Sequence, residues 1–186
     1  MGFFPKRNMQ KNRMIRLPEG MLNGQGLGEL GKMTFGCSTV SYSGCEVIAV
    51  YNAQLLTKGT ADFCETARYM ERFRVLLGFW GTNFLMLGVC LRHFGLRARG
   101  TRSRRKLDKA LCAGKSCLFV YWTRKRFCSP VHTVLIVPEG EEQIKIYNLY
   151  NNLGTPAERE RAQFLQERLI VGYVIGGADE EREGNT

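Results

Sequence analysis

Histidine is scarce in this chain: of 186 residues only His93 and His132 carry an imidazole, so any chemistry that needs one has two candidates. Long apolar runs are missing too. None approaches the roughly 20 residues that span a bilayer, which excludes a membrane-spanning helix and leaves no reason to expect membrane association. Residues 1–20, MGFFPKRNMQKNRMIRLPEG, are basic but have no apolar h-region, so a secretory signal is not expected. Position 6 is Lys6, where a myristoylation site needs Ser or Thr. There is no CxxC: Cys112 and Cys117 flank AGKS with no second pair at finger spacing, which argues against zinc. No metal or cofactor is expected.

What is present describes one globular domain. A hydrophobic fraction of 44% and an aromatic fraction of 11% supply a sizeable core for a chain of this length. Seven cysteines, an odd number without a signal peptide, read as reduced thiols in a cytoplasm. The net charge of +10 is clustered. Residues 1–16 hold Lys6, Arg7, Lys11, Arg13 and Arg16 with no acid, and the C-terminal ADEEREGNT is acidic. Residues 92–109, RHFGLRARGTRSRRKLDK, set eight basic residues against Asp108. In this segment Arg97, Arg99, Arg102, Arg104, Arg105, Lys106 and Lys109 fall on an expected loop and the first turns of a helix. Such a cluster meets an acidic protein or nucleic acid, or stays solvated. With Phe94 the one aromatic close by, bases have little to stack on, so nucleic acid is expected to bind non-specifically if at all.

Along the chain, six glycines between positions 20 and 36 suggest an irregular arm over 1–34. Within it Gly26, Gly28 and Gly31 match GxGxxG, but no strand precedes and no helix follows, as a dinucleotide site requires. Four helices are then expected. The first runs from Ser43–Gly44 to Lys58–Gly59 and is apolar on most faces. The second runs from a Thr60 cap to Gly78, the third from a Thr82 cap to Gly95, and the fourth from Ser103 to Gly114. Strands are expected at 116–122, 131–137 and 143–150, the last two forming a hairpin. Thr155, Pro156 and Glu158 suggest a capped helix over AERERAQFLQERL. LIVGYVIGG reads as a last strand and 177–186 as an acidic tail. Helices followed by antiparallel strands make an α+β domain over 35–176.

Within SYSGCEVIAVYNAQLL (41–56), Cys45 stands on the first turn of the central helix. The positive end of the helix favours the thiolate and is expected to bring its pKa below the ~8.5 of a free thiol; the alternative is a small apolar side chain filling a core. His132 opens a strand 87 residues later and Asn148 lies 16 residues beyond it, one hairpin on. Cysteine catalysis needs a thiol, a base and a group that orients the base, and these three residues supply the types in order. His93 is accounted for by the end of its own helix.

A helix-initial Cys, a strand-initial His and an Asn one strand on resemble the papain-like cysteine peptidases, nearest the branch that includes the leader-cleaving peptidase domains of bacteriocin exporters. The likeness runs over roughly 35–152 and rests on GCE.IA.YNA and HTVLIV…IKIYNLYNN. It implies helices packed on a C-terminal antiparallel sheet, with the nucleophile at the start of the central helix. It also implies cleavage of a peptide or protein substrate by Cys45, His132 and Asn148 through a thioester. Such families place a Gln six residues before the nucleophile to hold the oxyanion. Here that position is Thr39, with Ser38 and Ser41 as nearby substitutes. Losing one such donor costs on the order of 100- to 1000-fold in rate. Acyl transfer, and a catalytically weak or inactive module of the same fold that binds an acidic protein or nucleic acid through residues 92–109, remain alternatives.

Overall fold

The computed structural model describes residues 3–124, 130–150 and 153–176; Cys128 and the acidic tail lie outside them. The ten residues CEVIAVYNAQ are all buried because the central helix α4 (Cys45–Lys58) is covered on almost every side, as its apolar composition requires. Gly59 ends it in the left-handed conformation (φ +72°), with its N–H bonded to the Leu55 carbonyl.

Before α4 come α1 (Phe3–Arg13), α2 (Gly28–Lys32), a two-strand ribbon of β1 (Thr34–Phe35) and β2 (Ser38–Thr39), and the single turn α3 (Val40–Ser43). Helix α1 corrects the expected irregular arm. It has no strong apolar stripe, and side-chain bonds tie it down instead. Asn8 Nδ2 donates to the Gly36 carbonyl (2.8 Å) and to Glu71 Oε1 (2.7 Å), and Asn12 Nδ2 donates to the Thr34 carbonyl (2.9 Å).

After α4, helix α5 (Phe63–Met70) is capped by Asp62, whose side chain accepts from the Glu65 N–H, rather than by Thr60. It stops well before Gly78: a 3-10 turn follows at Glu71–Phe73, and Leu76 and Leu77 take positive φ. Asn83, not Thr82, caps the next helical segment, which begins as a 3-10 turn and becomes α6 (Leu87–His93). His93 ends α6 and stacks on Tyr69 with ring centroids 3.5 Å apart. Helix α7 (Arg104–Cys112) starts where expected, with Ser103 accepting from the Lys106 N–H.

The sheet is made of β3 (Arg97–Thr101), β4 (Cys117–Trp122), β5 (Val131–Glu139), β6 (Gln143–Tyr147), β7 (Ala157–Glu160) and β8 (Arg168–Gly176). It is antiparallel throughout, in the order β3-β8-β4-β5-β6-β7. Two corrections follow. Arg97 and Arg99 lie on an edge strand, not a loop. The expected helix after Thr155 is instead β7, with only Arg161–Phe164 helical (α8); pairing of Ala157–Glu160 with β6 outweighs the capping signal.

Alternation along the strands divides the interior into two cores. Leu118, Val120 and Leu135 pack with α4, α5 and α6, while Phe119, Tyr121, Val134 and Ile136 pack with Leu107 and Leu111 of α7 and Phe164 of α8. Both faces being covered, β4 reads as an unbroken apolar run. Among the described residues no helix is long and apolar enough to cross a membrane.

Candidate active site

Pairing of β5 with β6 begins at Leu135↔Tyr147, so the start of β5, still paired with β4, has no strand on its β6 side. Chain β6 leaves at Asn148, which sits in the left-handed region (φ +61°), where Asn is tolerated better than other side chains. The turn aims the Asn148 main-chain carbonyl at His132: Nε2 lies 2.6 Å from that oxygen. A carbonyl only accepts, so Nε2 of the neutral ring carries the hydrogen and Nδ1 is left as the proton acceptor.

The partner of the imidazole is thus the Asn148 backbone and not its side-chain amide. The side chain has another task. Its Oδ1 accepts from the Gln25 N–H (3.1 Å), its Nδ2 donates to Gln25 Oε1 (3.3 Å), and the Asn148 N–H donates to Asn23 Oδ1 (2.9 Å). Gln25 Nε2 in turn donates to the Ser41 carbonyl (2.9 Å). This loop is fixed from α4: buried Asn52 accepts from the Leu22 N–H and donates to the Leu22 carbonyl, both at 2.8 Å. The Asn of the YNA motif thus anchors the segment that clasps Asn148.

Gln25, Ser41, His132, Asn148 and Tyr150 line a cleft of about 310 Å³. Of the three proposed oxyanion donors, Ser41 borders this cleft, whereas Ser38 and Thr39 form strand β2. Thr39 is exposed, and its carbonyl accepts from Ser43 Oγ (3.2 Å).

Cys45 is buried, 6% exposed, and reaches the sheet at the peptide beside the imidazole: the Thr133 N–H donates to its sulfur. Its S–H donates not to His132 but to Glu46 Oε2, 3.2 Å away. His132 and Asn148 are thus brought together, while no hydrogen bond joins Cys45 to His132.

The electrostatics reverse the expectation drawn from the helix end. Burial and the neighbouring Glu46 carboxyl push the Cys45 thiol well above its ordinary value, outweighing the helix N-terminus and the Thr133 bond. Burial lowers His132 to about 4, against a smaller opposing effect of the Asn148 carbonyl. Both shifts favour a thiol and a neutral imidazole over an ion pair.

Sequence reasoning missed Gln25, Asn23 and Glu46. A carboxylate within an otherwise apolar helix start was the available signal for Glu46. Nothing in a glycine-rich stretch marked Gln25. The six described cysteines are all free, and among the described residues no cluster of His, Cys, Asp and Glu could hold a metal. Arg97 and Arg99 on β3, Arg102 in the connecting loop, and Arg104, Arg105, Lys106 and Lys109 on α7 are exposed and belong to no part of the cleft.

Helices on an antiparallel sheet, with a Cys opening the central helix and a His opening a strand, define the papain-like α+β fold. The chain is similar to the peptidase domain of Streptococcus ComA, a bi-functional ABC transporter involved in a quorum-sensing pathway. The TM-score is 0.51 at 11% identity, over 72% of this chain and 90% of that one. A double glycine motif protease from an AMS/PCAT transporter, solved in complex with the leader peptide, gives 0.49 at 14% identity, over 70% and 82%. No protein-family model matches the chain, and no curated protein does.

Proposed function

We propose that this chain is a cysteine peptidase-like hydrolase acting on a peptide or protein through Cys45, His132 and Asn148. Cys45 Sγ attacks the amide carbonyl, and His132 Nδ1 takes the thiol proton and returns it to the leaving amine. Water then releases the acyl group from the thioester. The observation that carries the reading is the 2.6 Å contact from His132 Nε2 to the Asn148 carbonyl, which fixes the tautomer a general base needs. The Cys45 main-chain N–H, at the first position of α4 and outside the helix ladder, holds the oxyanion, with Ser41 as the best placed of the three hydroxyl donors.

One observation favours the second reading, a weak or inactive binding module that uses residues 92–109: the buried thiol donates to Glu46, and burial raises its pKa. Leader peptides of the kind cut by the exporter peptidase domains that the sequence resembles decide between them. Cleavage by the wild-type chain and none by Cys45→Ala supports the hydrolase. Peptide bound equally by both and cut by neither overturns it.

A further inference from the structure

Glu46 has no role in the reaction just described, yet it is the side chain that touches the nucleophile. Its Oε2 lies 3.2 Å from Cys45 Sγ, and the residue is 3% exposed. The neighbouring chain closes tightly over it. A Cβ at Gly81 would stand 2.9 Å from the same oxygen, and Gly81 has φ +68°, so the loop approaches the carboxyl only because position 81 is glycine. The Thr82 N–H and the N–H of Glu46 itself donate to the carboxyl. Together with the first turn of the 14-residue helix α4, these donors favour a negative charge at that spot.

We propose that Glu46 is a positioning residue that holds the proton of Cys45 on sulfur, so that the nucleophile rests as a thiol. The inference rests on the reading of Cys45 as the nucleophile. Losing the S–H proton while Glu46 is ionised sets two negative charges about 3 Å apart in a site with little water, which opposes ionisation of the sulfur. Little on the surrounding elements offsets this. Cys45 faces the carboxyl from α4, and the loop contributes Gly81 and Thr82, neither titratable. From β5, Thr133 bonds the sulfur next to His132; from β4, Tyr121 feels a charge on Cys45. No lysine or arginine contributes to the ionisation of either member of the pair. Burial raises Glu46 itself to about 7, so above neutral pH the carboxyl is ionised and opposes thiolate formation.

The test is the rate of Cys45 alkylation by iodoacetamide against pH in the full chain, read residue by residue by mass spectrometry. Glu46→Gln keeps the size of the side chain and removes its charge. The midpoint of the Cys45 profile is expected to move down by at least about one pH unit, so that alkylation near pH 8 becomes about tenfold faster or more. An unchanged midpoint overturns the proposal. A second measurement covers a misfolded variant: removing the S–H donor in Cys45→Ala should raise the midpoint of the Glu46 carboxyl, followed by NMR, and no change overturns the proposal too. Neither readout involves turnover. A chain that cleaves no peptide but shows both shifts removes the hydrolase reading and leaves this one standing.

Discussion

Cys45 and His132 are buried alike, at 6% and 3% exposure, but they are held by opposite kinds of neighbour. On the helix side the sulfur meets a carboxyl that competes with the charge it needs to acquire. On the sheet side the imidazole meets a carbonyl that fixes its tautomer and favours the proton it would receive. Under the proposed function, the sheet side favours proton transfer at rest and the helix side opposes it. The difference teaches that helix position alone does not activate a thiol: a few tenths of a unit charge at a helix end is outweighed by dehydration and a neighbouring carboxylate.

The most damaging way to break this comparison is to remove the proposed base. His132→Ala is expected to lower peptide cleavage by at least about 100-fold, the usual scale of general-base loss. Asn148→Gly sharpens the result. Because the orienting group is the main-chain carbonyl, and glycine takes the left-handed turn freely, this variant should stay within about tenfold of wild type. Steady-state kcat/KM for both variants checks the pair. An Asn148→Gly chain as dead as His132→Ala would mean that the side chain and its bonds to Gln25 are indispensable.

A smaller effect separates the two sides through stability. Unfolded, His132 takes up its proton near 6.5; folded, only near 4. The unfolded state therefore binds more protons in between, and stability falls as pH falls through that window, by about 3 kcal/mol. Glu46 runs the other way. Its folded carboxyl binds a proton near 7 and its unfolded one near 4.5, so stability falls as pH rises between them, again by about 3 kcal/mol. The slopes oppose each other, and the wild-type chain should show little change between pH 4.5 and 6.5 from these two groups. Removing one partner uncovers the other. His132→Gln should become less stable as pH rises through this range, and Glu46→Gln more stable, in urea unfolding at fixed pH values. Parallel slopes in both variants would refute the assignment.

How much of this was legible follows from where the determinants lie. The ends of α4, the Ser103 cap and the hairpin of β5 and β6 are set by neighbours in sequence, and they were readable. So was the order of Cys45, His132 and Asn148. Helix α1 was not, because Asn8 and Asn12 fasten it to groups 22 to 63 residues away rather than through an apolar stripe. Strand β7 was misread for a similar reason, its pairing with β6 being invisible to a local capping rule. Within the site, the type of residue at 148 was visible, but the peptide turn that presents its carbonyl was not. Gln25 meets Asn148 across 123 residues, a contact only the folded chain discloses.

The smallest expected effect belongs to the basic surface, which stands apart from both halves of the site. Helix α7 opens with Arg104, Arg105 and Lys106 and has no acid in its first turn, which sets positive charge against the positive end of the helix. These side chains are exposed, and so are Arg97 and Arg99 on the edge strand β3, where charge discourages pairing with another chain. Replacing Arg105 and Lys106 by Glu should therefore leave stability within about 1 kcal/mol of wild type, and any change should favour the variant, because each Glu suits the helix start. Peptide cleavage should be unchanged, since neither residue borders the cleft. Oligonucleotides of unrelated sequence should bind the wild-type chain weakly and equally, lose affinity steeply between roughly 50 and 200 mM salt, and bind the double variant more weakly still. Fluorescence anisotropy measures all three. Binding that distinguishes sequences and survives the higher salt would show that β3 and α7 form a recognition surface, and would put the non-enzymatic reading ahead of the hydrolase.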